Sequence, residues 1–424
     1  MRSGGTSLMS TLNAVQALAG RRIVGHVMLW GLAAACPLRA QPLNDVVNSQ
    51  LQTDGVRCLQ LLGADQATDV LVGPLASLCS RGGSVGGGPG GPASSAGGGG
   101  SATPTNLPKI VRQRLRQETE SEQHDGGAGD DTLVELGQGL SLFFSSEYQS
   151  LDRKVTTFED GYDSNIWHFT GGADYQLPGA LTLGGAFDYK HQQGDFAASG
   201  DFRQDSYGAL VFAGLTPIEN AFVQLTAGYA FQQNQRNRFA SFSEQDGAIL
   251  FNRAGFVASD YDGHEMSAGV LSGYDFNIAN VTIGPRLGVD WTKNIYDSYL
   301  ESGNTGLELH FAKDRRTSLQ SRTGVYGAMT FSTAFAVIVP QVSFDWVHEF
   351  SNDQREIGFS FAGDTRGRQF KFNNEKPDRD FFEVTAGSNF VLAHGVQAYL
   401  NYRAIAGHGY FNGHGANLGV RMEF

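Results

Sequence analysis

The sequence predicts an all-β protein: a transmembrane barrel of twelve antiparallel strands, preceded by a lumenal α-helix and a short helical N-terminal segment. Three observations carry this. Glycine is abundant at 56 residues, aromatics reach 11 %, and charged residues make up only 17 %, against roughly 25 % in a soluble domain. From Thr132 onward, apolar and polar residues alternate in run after run of about ten residues, the period of a strand with one greasy face. The last ten residues, GANLGVRMEF, alternate in the same way and stop on an aromatic.

Composition also excludes classes. Mean hydropathy is −0.24, and past the N-terminus no apolar run reaches the ~20 residues of a spanning helix. A formal net charge of −12 argues against a nucleic-acid partner, which would favour a basic face. The three cysteines all precede Ser80 and suit an oxidising compartment.

In chain order, residues 1–40 read as a signal peptide. Arg21 and Arg22 precede an apolar run from Ile23 to Cys36, and Pro37-Leu38-Arg39-Ala40 ends on a small residue at a plausible cleavage point,. Cys36 reads as part of that leader; lipidation is the alternative. Residues 41–80 form a short helical, passenger-like segment. Leu43, Val46, Val47, Leu51, Val56 and Leu59 mark one helical pattern, and Val70, Leu71, Leu75 and Leu78 a second,. Cys58 lies in the first and Cys79 in the second. So short a stretch buries little core, and a Cys58–Cys79 disulfide would staple it; two unpaired buried thiols are the alternative.

Residues 81–105 are a Gly/Ser/Pro-rich linker. Its GGGPGG has no following lysine and no preceding strand, so it is not a phosphate loop. Residues 106–131 hold the pore-helix candidate and a lead-in. In Leu107–Gln123, Pro108 suits a first helical turn. Lys109, Arg112, Arg114 and Arg116 come first, then Glu118, Glu120 and Glu122. That order opposes the helix dipole, so surrounding charge would have to hold the helix. A helix threaded through a polar pore fits, and a solvated linker helix is the bland alternative.

Residues 132–424 are assigned to the barrel. The segments carry apolar faces at Leu140–Tyr148, Trp167–Tyr175, Leu181–Tyr189, Tyr207–Leu215, Val223–Phe231, His264–Phe276, Val281–Trp291, Leu319–Phe331, Val342–Trp346, Phe382–Phe390, Val396–Tyr402 and Ala416–Phe424. The fourth is less clean, because Leu210 and Phe212 fall on its other face. Tight turns are expected at Pro178-Gly179, Pro217–Asn220, Asn277–Asn280, Ser332–Ala334 and His394-Gly395. They alternate with longer polar stretches at Ser150–Asp163, His191–Phe202, Gln232–Asp262, Lys293–Thr317 and Ser351–Arg379; Gly407–Gly413 is the short exception. Short turns on one side and long loops on the other, with an even strand count, are the pattern of bacterial outer-membrane barrels. Tyr148, Trp167, Tyr175, Tyr189, Trp291, Tyr299, Trp346, Phe350 and Phe381 sit near segment ends, where aromatic girdles belong.

The polar parity carries Glu147, Asp174, Asp188, Arg286, Asp290, Asp345, Glu383 and Arg403. With Arg112, Arg114 and Arg116 of the threaded segment, these are the expected lumen-lining charges. A carboxylate pair could do general acid–base work; lining a water-filled lumen is the stronger reading. His394, His408 and His414 read as polar loop residues rather than ligands, since metal binding needs convergent, supported donors. No serine–histidine segment resembles those of outer-membrane phospholipases and proteases, and the short segment offers no Gly-x-Ser-x-Gly or other nucleophile motif. No catalytic, cofactor or metal site is expected.

The strands HFTGGADYQL and ALTLGGAFDYK, the segment VPQVSFDWVHEF and the ending NYRAIAGHGYFNGHGANLGVRMEF resemble the translocator domain of monomeric, type V autotransporters. The resemblance runs from about Thr132 and takes in the charged helix before it, but not Gln41–Thr105. It implies a twelve-stranded barrel in the Gram-negative outer membrane with a helix across its lumen. It also implies insertion by the barrel-assembly machinery, which reads the terminal strand (here Ala416, Leu418, Val420, Met422 and Phe424). Outer-membrane lipid and periplasmic chaperones are the other expected partners. A passenger upstream would be exported to the cell surface. Passengers in this family are usually several hundred residues, whereas here only Gln41–Thr105 is available. The Asn-Asn pair at which some members cleave is missing from Leu107–Gln123, and Asn106 stands alone. The expected function is an autotransporter that translocates and displays its own short N-terminal segment. The alternatives are a porin-like channel with that segment in the periplasm and, further off, an outer-membrane hydrolase.

Overall fold

The computed structural model describes residues 139–424, apart from 157–159, 178–180, 198, 247–248 and 365–368. The expected leader, Cys58–Cys79 pair, linker and charged helix with Arg112, Arg114 and Arg116 lie outside the described residues. The strands are β1 Leu140–Arg153, β2 Tyr162–Leu177, β3 Leu181–Phe196, β4 Gly200–Ile218, β5 Ala221–Asp246, β6 Ile249–Tyr274, β7 Phe276–Ile278, β8 Val281–Tyr296, β9 Tyr299–Leu300, β10 Leu309–Phe311, β11 Asp314–Met329, β12 Phe331–Ser332, β13 Ala336–Glu349, β14 Glu356–Phe361, β15 Phe370–Asn373, β16 Asp380–Leu392, β17 Val396–Ala406 and β18 Phe411–Glu423.

Each barrel strand pairs antiparallel with its chain neighbour, β8 pairs with β11, and β1 pairs with β18, so 12 strands close into a barrel with no free edge. The short β7 and β12 continue β6 and β11 along β8 and β13. Closure matters physically, because hydrocarbon offers no partner to an unpaired backbone group. Among the described residues no helix is long and apolar enough to cross a membrane; the strands do the crossing.

Alternation sets the two faces. Leu142, Phe144, Phe187, Val211, Ile283, Val325, Phe344, Leu400 and Leu418 are 47–78 % exposed on the outside. Ser145, Thr170, Gln192, Ser206 and Gln224 are buried inside. Such an inverted surface is stable only in lipid. The short-turn side carries the positive φ values of Asn220, Ala279 and His394. His394 and Gly395, with φ of 64° and 68°, supply the pair of left-handed residues that a two-residue hairpin turn needs.

Two expectations are corrected on the long-loop side. Gln232–Asp262 is not a loop: β5 and β6 run 26 residues each, against 16 for β2, β3, β8 and β11. β5 runs eight residues past its last pairing with β4, Gly200↔Arg238, a rise of about 20 Å at ~3.3 Å per residue and a tilt near 40°. The stretches Lys293–Thr317 and Ser351–Arg379 are not plain loops either. They contribute β9, β10, β14 and β15, a separate four-stranded sheet.

Candidate functional site: the lumen and its outer mouth

Every lumen-lining charge expected on the described strands has the inward register. Arg286 on β8 donates Nε to Asp345 Oδ1 on β13 at 2.6 Å and makes a second, closer contact to Oδ2. Arg322 on β11 reaches Asp345 Oδ2 at 3.4 Å and Glu383 Oε2 on β16 at 2.7 Å. Four adjacent strands are thus cross-linked by one buried chain of ion pairs. Across the seam, Arg403 on β17 donates to Glu147 on β1 at 2.6 Å. His168 and Thr170 both contact Asp188, the threonine at 3.0 Å. Asp174 faces Arg421 Nη2 at 3.5 Å. Asp290 shares the inward register, opposite Gln320.

The wall is not uniformly polar. Leu210 and Phe212, the pair that spoiled the fourth segment's alternation, point inward and are buried with Phe143 and Ala186. Phe143 and Phe212 meet edge-on, centroids 6.0 Å apart. Gly184 makes room for this patch: a Cβ there would lie 2.2 Å from the Phe212 ring.

At the long-loop end the lumen opens into a cavity of about 450 Å³, lined among others by Leu151, Arg153, Arg316, Arg355, Arg403 and Phe411. The outer connections are tied around it. Arg238 on the β5 extension forms a bidentate pair with Glu301, both contacts 2.6 Å, and Glu301 also accepts from Leu309 N at 2.9 Å. Leu309, Phe311, Phe359 and Phe361 are buried between the strands of the small sheet, and Tyr299 stacks on Phe311 with centroids 4.8 Å apart. Burial there raises the Tyr299 phenol well above its ordinary value,. Arg355 pairs with Asp314 at 2.6 Å, Tyr410 OH donates to Lys376 O at 2.9 Å, and Lys154 N donates to Tyr410 O at 2.9 Å. His408 packs against Phe381, Tyr410 and Phe411; burial pushes its pKa down to about 4,. His408 contacts Asp378, His414 is on the outward face of β18 and His394 is in a turn. Among the described residues no group of side chains could hold a metal.

Sequence reasoning missed Arg238–Glu301, Arg421 and the small sheet. Leu307, Leu309 and Phe311 alternate, as do Ile357, Phe359 and Phe361, but a template tuned to ten-residue spans passes over so short a run.

Ala416, Leu418, Val420, Met422 and Phe424 all face outward, and Phe424 N donates to Leu140 O at 2.9 Å. The barrel matches a solved translocator in fold. The translocator domain of the autotransporter NalP from Neisseria meningitidis is similar at a TM-score of 0.51 with 13 % identity, over 75 % of this chain and 97 % of that one. The beta domain of the Bordetella autotransporter BrkA is similar at 0.49 with 15 % identity, over 68 % and 100 %. No curated protein matches in sequence. The model of the family described as autotransporter beta-domain matches residues 112–403. With the closed barrel and its outward terminal strand, that match over more than half the chain shows that the protein belongs to the autotransporter β-domain family, Gram-negative outer-membrane barrels that translocate a passenger.

Proposed function

We propose that this barrel anchors and displays its own short N-terminal segment, Gln41–Thr105, at the cell surface, with Leu107–Gln123 lying in the lumen. The observation that carries this is the position of the barrel's entry. Leu140 and Phe424 are bonded to each other at the short-turn end, the periplasmic end in such barrels. The chain before β1 therefore starts from the periplasmic mouth. Leu107–Gln123 as a helix would cover about 26 Å at 1.5 Å per residue, enough with its lead-in to traverse the lipid band of about 25 Å. A polar lumen wall, with carboxylates such as Glu147, Asp188, Asp290 and Glu383 facing inward, gives the charged residues Arg112, Arg114 and Arg116 a path out of contact with lipid. The barrel-assembly machinery and periplasmic chaperones are its partners during insertion, and the outward alternation ending in Phe424 is the feature such machinery reads.

The test is an epitope inserted near Gly97, probed with antibody and protease on intact cells beside a permeabilised control. Labelling of intact cells is expected. Labelling only after permeabilisation would place the segment in the periplasm and end the display reading.

A further inference from the structure

One arrangement of side chains occurs twice on the outer surface of the barrel. On β3, Tyr189 and His191 share the outward face, and Asp205 of β4 stands directly opposite His191. Tyr189 OH donates to Asp205 Oδ1 at 2.7 Å, His191 Nδ1 lies 2.7 Å from the same oxygen, and Arg203 Nε donates to Oδ2 at 2.8 Å. On β13, Trp346 and His348 repeat the spacing, and Asp380 of β16 stands directly opposite His348. Trp346 Nε1 donates to Asp380 Oδ1 at 3.0 Å, and His348 Nδ1 lies 2.8 Å from it. In the strand order of the closed sheet, β3/β4 and β13/β16 are half a turn apart.

Both clusters sit at the same level. Toward the short turns, the outward face below Tyr189 carries Phe187 and Leu183, and that below Trp346 carries Phe344 and Val342, all exposed. The clusters therefore lie at the long-loop margin of the greasy band, the second with Phe350 packed on His348 just beyond it. That is the level at which amphipathic rings meet lipid headgroups.

The chemistry of each cluster is that of a held donor. A carboxylate only accepts, so the imidazole carries its proton on Nδ1 and keeps Nε2 for something else. The ring orientation is fixed by the carboxylate, which the Tyr or Trp donor fixes in turn. Nε2 of each ring is then presented to a phosphate group, within reach of its oxygens or hydroxyl. Arg203 is 55 % exposed while bonded to Asp205 only through Nε. Its planar fork suits a phosphate better than a point charge would. Arg379, next to Asp380 in sequence, donates Nη2 to Asn352 Oδ1 at 2.8 Å, so it puts positive charge near the second cluster without bonding its carboxylate. The aromatic ring in each cluster lies on the acyl side, matching a lipid's own order of headgroup and chain.

We propose that the Tyr189–Asp205–His191 and Trp346–Asp380–His348 clusters dock the phosphorylated headgroups of outer-leaflet lipids, gripping the barrel from opposite sides.

The test uses the whole barrel purified in non-ionic detergent and measures retained lipid by native mass spectrometry. The probes are a phosphorylated diglucosamine lipid and the same lipid without its phosphates. The triple variant His191→Gln, Arg203→Gln, His348→Gln is compared with Asn412→Ala, an outward-facing control on β18, away from both clusters. Circular dichroism establishes that each variant keeps its strands. Wild type and control are expected to retain the phosphorylated lipid at least about fivefold more than the dephosphorylated one, and the triple variant to lose that preference. Excess inorganic phosphate is expected to leave the retained lipid in place. Equal retention of the two lipids, or an undiminished preference in the folded triple variant, would overturn the proposal. Displacement by inorganic phosphate would also overturn it, by showing a free-anion site instead of a lipid dock. These outcomes are independent of where the N-terminal segment resides.

Discussion

Phe424 donates its backbone N–H to the carbonyl of Leu140 at 2.9 Å, joining the last residue of the chain to the first residue of the barrel. Above this bond, β1 and β18 stay in register from Ser141↔Glu423 to Arg153↔Phe411. The terminal alternation read in the sequence thus has two physical jobs. It satisfies the β1 edge, and it places Leu418, Val420 and Met422 against lipid.

Leu418→Arg tests the second job alone, because it leaves every backbone bond of the seam in place. A cation near the middle of the lipid face costs about 2–4 kcal/mol. The expected result is a lower urea midpoint for refolding into vesicles. Asn417→Arg, which faces the lumen beside it, is expected to cost clearly less; equal losses would contradict the assigned faces.

Arg322 links Asp345 to Glu383, so Arg322→Ala removes this cation from Glu383 while Asp345 keeps Arg286. Removing one partner from a buried pair costs about 3 kcal/mol, mainly through the charge left behind. Arg322→Ala with Glu383→Gln should recover much of that loss. The measurement is thermal unfolding of the single and double variants; a double variant no more stable than the single would show that the pair is not coupled.

Phe212→Ala opens a hole beside Phe143 and Gly184, with an expected cost of about 3 kcal/mol. Gly184→Leu tests the same patch from the other side, since even a Cβ there would overlap the Phe212 ring. Both should lower the unfolding temperature. An unchanged temperature for Phe212→Ala would mean that the lumenal cluster carries no packing energy.

Much of this architecture could be read from residues, and the parts that could not share a cause. Where a strand touches lipid, its outward residues must be apolar, so Leu142, Phe144 and Leu418 announce themselves by period two. Leu210 and Phe212 looked like a flaw in that pattern because lumenal apolar contacts are not demanded by the membrane; only the fold shows Phe143 and Ala186 waiting opposite. The β5–β6 extension and the small sheet lie beyond the lipid, where alternation weakens. There Arg238 found Glu301 across 63 positions, a pairing no local pattern encodes. Glu147 and Arg403 were each placed inward by parity, but their meeting depended on closure of the seam.

His408 makes the outer rim sensitive to acid. It is enclosed by Phe381, Tyr410 and Phe411, and burial lowers its pKa to about 4, from about 6.5 in an unfolded chain. The unfolded loop binds a proton more readily than the packed one, so this contribution to stability is fully present above about pH 6.5. It declines as the pH falls from there toward 4. Asp378 opposes the effect weakly, at 3.6 Å from the ring. Hydrogen exchange at Tyr410 and Phe411 is therefore expected to quicken between pH 6.5 and 4, once corrected for intrinsic rates. His408→Gln should flatten that dependence while leaving the exchange of β1 amides, and of β18 amides past Phe411, as in wild type. A dependence that survived the substitution would assign the acid response to Asp378 or another carboxylate of the rim, because a glutamine at 408 has no proton to take up.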